Sequence, residues 1–161
     1  MKLAIIAFTR AGCMFAKRIR DAYEQKGNIC VCLCKGRDAA EWGIPMLEGS
    51  LKEWTGNMFR ECDSLLFIGA AGIAVRAIAP FVASKASDPA VLVMDEQGHF
   101  VISLLSGHLG GANALTREIA ALVGAVSVIT TATDAGGRFS VDDFARRENM
   151  HLDSLSLATE V

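Results

Sequence analysis

Leu65-Leu66-Phe67-Ile68 runs straight into Gly69-Ala70-Ala71-Gly72-Ile73-Ala74-Val75-Arg76, and this junction decides the fold class. Four bulky apolar residues in succession read as a buried strand. The small-residue turn after them opens an amphipathic helix that is expected to reach about Ala83. A strand that turns directly into a helix is half of a strand–helix–strand unit, the building block of α/β folds.

The same alternation appears upstream. Residues 3–8 read as a first strand, and residues 14–25 as a helix carrying Phe15, Ile19, Ala22 and Tyr23 at helical spacing, with Gly27 as its stop. Residues 29–34 form a second strand. After a polar loop from Gly36 to Gly49, Ser50 with Glu53 makes a capping-box pattern for a short helix. Downstream, residues 90–94 and 100–104 are expected to pair as a hairpin around Asp95-Glu96-Gln97-Gly98. Ser106 is then read as the cap of a long helix with the apolar stripe Leu109, Ala112, Leu115, Ile119 and Leu122, ended by Gly124. Residues 126–130 form a last strand, and Ser140 with Asp142 and Asp143 starts a C-terminal helix. The expected architecture is α/β: two small lobes with largely parallel sheets and helices packed on the faces. Residues 1–60 form an N-terminal lobe, 61–145 a glycine-turn lobe, and 146–161 a C-terminal helix or linker start. Trp42 and Trp54 are candidates for a contact between lobes.

Composition narrows the function classes. An apolar fraction of 52% over 161 residues supplies a core and excludes a disordered chain. The formal charge of −2 gives no electrostatic reason to bind nucleic acid, although residues 10–37 hold a local basic excess. No apolar run approaches the roughly 20 residues of a membrane span, and no targeting signal stands out, so none is expected. Five cysteines, with Cys30, Cys32 and Cys34 crowded on one strand, do not make a disulfide framework. Alternation places those three on one strand face, as small hydrophobes rather than metal ligands. A cytoplasmic protein with reduced thiols is expected.

Three stretches carry candidate chemistry. Ser106-Gly107-His108-Leu109-Gly110-Gly111-Ala112-Asn113 follows a strand and opens a helix, and its three glycines each lower helix propensity by roughly 1 kcal/mol against alanine. Glycine allows close backbone approach, helix-start amides favour anions, and His108 moves protons near neutral pH. The alternative is a turn whose glycines serve helix packing. Gly69 to Gly72 with Arg76 places amides at a sheet edge beside a forked donor for carboxylates; the alternative is a packing turn with a solvated arginine. This run is neither a dinucleotide fingerprint nor a P-loop. Thr130-Thr131-Ala132-Thr133-Asp134 ends the last strand and is expected at the same edge as both glycine turns, with a plain Asp134 cap as the alternative. Asp95 and Glu96, adjacent in a turn, are better read as solvated charges than as an acid/base pair. His99 and His151 stand alone.

Taken in order, these runs resemble the amino-terminal part of the cobalamin-biosynthesis protein CbiG family, the cobalt-precorrin-5A hydrolases. The resemblance rests on the run from Gly69 to Arg76 with Ile78-Ala79-Pro80, on Asp88-Pro89-Ala90-Val91, Asp95-Glu96 and Gly98, on Leu105 to Asn113, and on Thr130 to Asp134. It is close over residues 65–143 and looser over 1–49. It implies opening of the ring A lactone of a cobalt corrinoid and release of acetaldehyde. It also implies no cofactor, since cobalt travels with the substrate. Its partners would be a family C-terminal-type domain or other cobalamin-pathway enzymes, with neither nucleic acid nor membrane. On chemical grounds His108 is the expected base, with Asp134 and Glu96 next in line. Gly69, Gly72, Arg76, Ser106, Gly107, Gly110, Gly111, Asn113, Thr131 and Thr133 are the expected substrate contacts, the amides around Gly110 and Gly111 serving a developing oxyanion. Two other readings stay open: a non-catalytic tetrapyrrole-binding module, and a regulatory domain binding a phosphorylated small molecule.

Overall fold

The first apolar run lies inside the sheet, with a strand on each side. The computed structural model describes residues 1–131. In it β1 (Lys2–Ala7) pairs in parallel with β2 (Ile29–Cys34) and with β3 (Ser64–Ile68). β4 (Ala90–Met94) lies parallel beside β3, β5 (Phe100–Leu105) returns antiparallel, and β6 (Val126–Val128) runs parallel to β5. The result is one six-stranded sheet in the order β2-β1-β3-β4-β5-β6.

Helices cover both faces. α1 (Arg10–Gln25) and α4 (Ala112–Val123) bury Cys13, Ala16, Ile19, Leu115 and Ile119 against Leu3, Ile5, Leu66, Ile68, Leu92 and Met94. On the other face α2 (Leu51–Glu61) and α3 (Ala71–Ile78) bury Trp54, Phe59, Ala74 and Ile78 against Ala4, Ile6, Leu65, Phe67, Val91 and Val93. Alternate residues of β1, β3 and β4 thus enter two separate cores, which is why these strands have no polar face. Among the described residues no helix is long and apolar enough to cross a membrane.

The expected α/β class, with largely parallel strands and helices on the faces, is what the chain adopts. The two lobes are joined more closely than expected. The register Leu3↔Ser64 to Ala7↔Ile68 stitches β1, from the expected N-terminal lobe, to β3, from the expected glycine-turn lobe, within a single sheet. Trp42 packs on the α1/α4 side and Trp54 on the α2/α3 side, so the two do not form a lobe contact.

Local signals set the helix ends. Thr9 accepts a hydrogen bond from the Gly12 amide at 3.1 Å, which starts α1 at Arg10 rather than at the expected Met14. Ser50 and Glu53 form the expected reciprocal capping box. α3 stops at Ile78, short of Ala83: Ala79 keeps helical angles and still donates to the Val75 carbonyl, but Pro80 after it has no N–H with which to extend the helix. α4 begins at Ala112 with Gly111 as its cap residue; Ser106, expected to cap it, and Leu109, expected on its stripe, lie in the preceding turn. The helix expected from Ser140, Asp142 and Asp143, and the segment 146–161, lie outside the described residues.

Ile5 is fully buried in the strand that both neighbours pair with. Ile5→Ala should lower the unfolding free energy by about 2–5 kcal/mol, read from urea unfolding monitored by circular dichroism.

Candidate functional site

The antiparallel return of β5 separates the two glycine turns. Gly69 follows β3 and donates its amide to the Met94 carbonyl at 2.8 Å, so it marks the carboxyl edge of the parallel strands. Leu105 pairs with Val91, near the start of β4, so Ser106 emerges at the opposite, amino edge. The edges are roughly 15 Å apart along a five-residue strand. The expectation that both turns share an edge with the threonine run is therefore corrected. Glu96, in the hairpin turn after β4, stands at the carboxyl edge and does not join His108.

At the amino edge the structure gathers Ser106, Gly107, His108, Gly110, Gly111, Asn113 and Thr131. Ser106 has a φ of 59°, the one positive value at a non-glycine position among the described residues, a conformation that costs an L-residue roughly 1–2 kcal/mol. Its carbonyl accepts from the Ala112 amide at 3.1 Å, the Gly107 carbonyl from Asn113 at 3.0 Å, and the His108 carbonyl from Gly111 at 3.1 Å. The first amides of α4, and that of Gly111, are thus already used. This removes Gly111 as an oxyanion donor, because its N–H closes the turn around His108. Asn113, buried, accepts from Ser103 Oγ at 2.7 Å and donates from Nδ2 to Thr131 Oγ1 at 2.9 Å. The glycines fit this internal packing. A Cβ on Gly107 would lie 2.9 Å from Asn113 Oδ1, and one on Gly110 would lie 2.8 Å from the Ser106 carbonyl oxygen as well as against its Cβ. His108 itself is half-buried at the apex of this turn. Thr133 and Asp134 lie outside the described residues.

The carboxyl edge is built differently. The parallel order β2-β1-β3-β4 reverses direction between β1 and β3, the position at which open α/β sheets form a ligand crevice. Phe8 lies across it: a Cβ on Gly69 would meet the Phe8 ring at 2.8 Å. α3 starts at Ala71 with no side-chain cap, and Ala71 is exposed with Gly72 beside it. Arg76, also exposed, donates from Nη1 to the Gly72 carbonyl at 3.1 Å. With Lys52 it borders a hollow of about 310 Å³ floored by Leu51, Ile73 and Ala77. A larger open groove of about 1030 Å³ runs between α2 and residues 45–48, over Leu33, Trp54 and Phe81, and holds none of the expected site residues.

Residues 53–134 match the family described as cobalamin synthesis G N-terminal. The chain belongs to this family. A cobalt-precorrin-5A hydrolase of Salmonella typhimurium is 42% identical over 98% of the chain, and one of Priestia megaterium is 40% identical over 89%. The chain spans 43% and 38% of the lengths of these two relatives. A crystal structure of a cobalamin biosynthesis protein G homologue from Sulfolobus solfataricus has the same fold, with a TM-score of 0.58 at 22% identity, over 89% of this chain and 39% of that one. The family-matched segment contains both glycine turns, Arg76, His108 and the Asn113–Thr131 pair.

Sequence reasoning gave no role to Asp88 or Ser103. Asp88 is buried; its carboxylate accepts from the Ala83 and Ser84 amides at 3.0 and 3.1 Å, and its carbonyl accepts from Ser106 Oγ at 3.0 Å. An acid immediately before Pro89 and a wholly apolar strand was the available signal, since such an acid must be buried or cap a turn. Among the described residues no three His, Cys, Asp or Glu side chains cluster as metal ligands. Cys30, Cys32 and Cys34 share the face under α1. Burial pushes the Cys30 thiol up to about 11 and that of Cys32 from about 9 up to about 12.

This geometry can be checked at two positions. Gly110→Ala should destabilise the fold by about 1–3 kcal/mol without any ligand present, because the methyl group meets Ser106; thermal unfolding checks this. Cys32 is protonated in both states below about pH 9, so its burial contributes fully there, and the contribution is lost as pH rises toward about 12. Native Cys32 should therefore resist alkylation near pH 8 and react once urea unfolds the chain, as peptide mass mapping will show.

Proposed function

We propose that this chain is the amino-terminal module of a cobalt-precorrin-5A hydrolase and that His108 moves the proton when the ring A lactone opens. The observation that carries this reading is the 42% identity to such a hydrolase along nearly the whole chain. The matched length includes the position of His108, a half-buried histidine held at the apex of a hydrogen-bonded turn.

The chemistry needs little from the protein beyond a placed base. His108 accepts a proton from water as the water oxygen adds to the lactone carbonyl. The tetrahedral adduct then collapses, the ring oxygen leaves and takes that proton, and a carboxylic acid and a hydroxyl result. Loss of the hydroxyl proton lets the carbon–oxygen bond become a carbonyl. The bond to the macrocycle breaks, its electron pair stays on the macrocycle and is protonated there, and acetaldehyde departs. No cofactor enters the scheme, and the cobalt is the substrate's own. A cytoplasmic setting and a C-terminal-type partner domain belong to the same reading.

A second reading is favoured by the crevice at the other edge. The uncapped start of α3, with Arg76 and Lys52 beside an apolar hollow, suits the carboxylates and ring of a tetrapyrrole. On that reading the chain binds the corrinoid there and the chemistry resides elsewhere.

Incubating the chain with cobalt-precorrin-5A and assaying aldehyde separates the two readings. The hydrolase reading expects acetaldehyde, with His108→Ala folding normally and releasing it about 100- to 10,000-fold more slowly. Binding without turnover by the unsubstituted chain supports the module reading instead, and wild-type turnover by His108→Ala removes this histidine as the base.

A further inference from the structure

We propose that Asp88 and Ser106 are positioning residues for His108: a buried tether that fixes the turn from below rather than a pair of substrate contacts. The inference rests on the hydrolase reading above, and it reassigns Ser106, which the sequence alone placed against the substrate.

The tether can be followed atom by atom. Asp88 is 8% exposed, and its carboxylate is held by the amides of Ala83 and Ser84. Its own amide donates to the Ser84 carbonyl at 2.9 Å, so residues 83–88 close into a compact turn. That turn presents the Asp88 carbonyl to Ser106 Oγ at 3.0 Å. The bond holds Ser106 where its φ is 59°, and this backbone state in turn aims the Ser106 carbonyl at the Ala112 amide. Residues 107–110 must then span a gap whose two ends are fixed. On the far side Asn113 bridges Ser103 and Thr131, and Gly107 is wedged against both Asn113 and Thr131. His108 lies at the apex between these two anchors, and its carbonyl is itself bound by Gly111. Both anchors are side chains that a ligand cannot occupy without breaking the bonds that form the turn. Their chemistry is spent on geometry.

Ser106→Gly separates tethering from conformational strain, because glycine adopts a positive φ freely and lacks the hydroxymethyl group that makes the tether. The tether expects this variant to keep its melting temperature within a few degrees while amide exchange at Gly107, Gly110 and Gly111 quickens by about tenfold or more. Turnover of cobalt-precorrin-5A should fall by about 100-fold in kcat, with KM little changed, since a base displaced by about 1 Å loses that much. Asp88→Asn, which retains a carbonyl oxygen for the Ser84 amide, should recover most of the activity that Asp88→Ala loses. A raised KM at constant kcat in Ser106→Gly would return Ser106 to the substrate and overturn the proposal. Wild-type exchange and kcat in that variant would overturn it as well. If His108→Ala turns over normally, this histidine is not the base, and if the unsubstituted chain is inactive, the hydrolase reading falls; either result takes the positioning role with it, whatever the exchange rates show.

Discussion

β1 is bonded along both edges and buried on both faces, and everything else is arranged around that constraint. From Leu3 to Ala7 such a strand has no side chain facing water, so these residues must be apolar and their partners long-range, while Lys2 at its start reaches the surface and pairs with Glu61. Leu3, Ile5 and Ala7 enter one core, and Ala4 and Ile6 enter the other. The same run fixes the register of β2 and β3. Those registers set where the carboxyl edge lies, and with it the crevice beside Gly69.

The second organising fact is the reversal at the β4–β5 hairpin. Asp95 accepts from the Gln97 and Phe100 amides at 3.0 and 2.6 Å, and Gly98 takes a φ of 73°, so the turn is closed by its own polar groups. From that turn onward the chain runs the other way. The helix after β5 therefore starts at the amino edge, and β6, parallel to β5, delivers Thr131 to the same place. The two glycine turns look alike in sequence yet differ in use. The turn before α4 has spent the Gly111, Ala112 and Asn113 amides on itself, whereas the start of α3 has no side-chain cap and is exposed.

Much of the architecture was legible because the local signals agreed. Apolar runs marked the strands, Ser50 with Glu53 marked α2, and Asp95 to Gly98 marked the hairpin. The start of α4 was not legible: Ser106 has the residue type of a cap, and nothing local shows that its carbonyl reaches Ala112 across a wider turn. The merging of two expected lobes also escaped a sequence reading, since strand adjacency between β1 and β3 is a pairing over roughly sixty residues of chain with no local signature. Among the site residues, Ser106 reads locally as a helix cap, and Ser106 and Asn113 both read as substrate contacts. Their partners could not be read, because a buried side chain's hydrogen bond depends on elements that meet only in three dimensions. The glycines of the His108 turn were legible as a cluster, with packing as one of two readings, but the atoms they make room for, in Ser106, Asn113 and Thr131, were not.

The reversed strand also bears on how the chain reaches its native state. The β4–β5 hairpin joins strands that adjoin in sequence, while β1 waits for partners on either side of two intervening helices. Loop-closure entropy favours the nearby pairing first, so the hairpin can form early and cheaply while the parallel centre assembles late and cooperatively. The amino edge at β5 would then be shaped before the strand that holds the sheet together is in place, and β1, made before either of its partners, would be among the last strands to find all its neighbours.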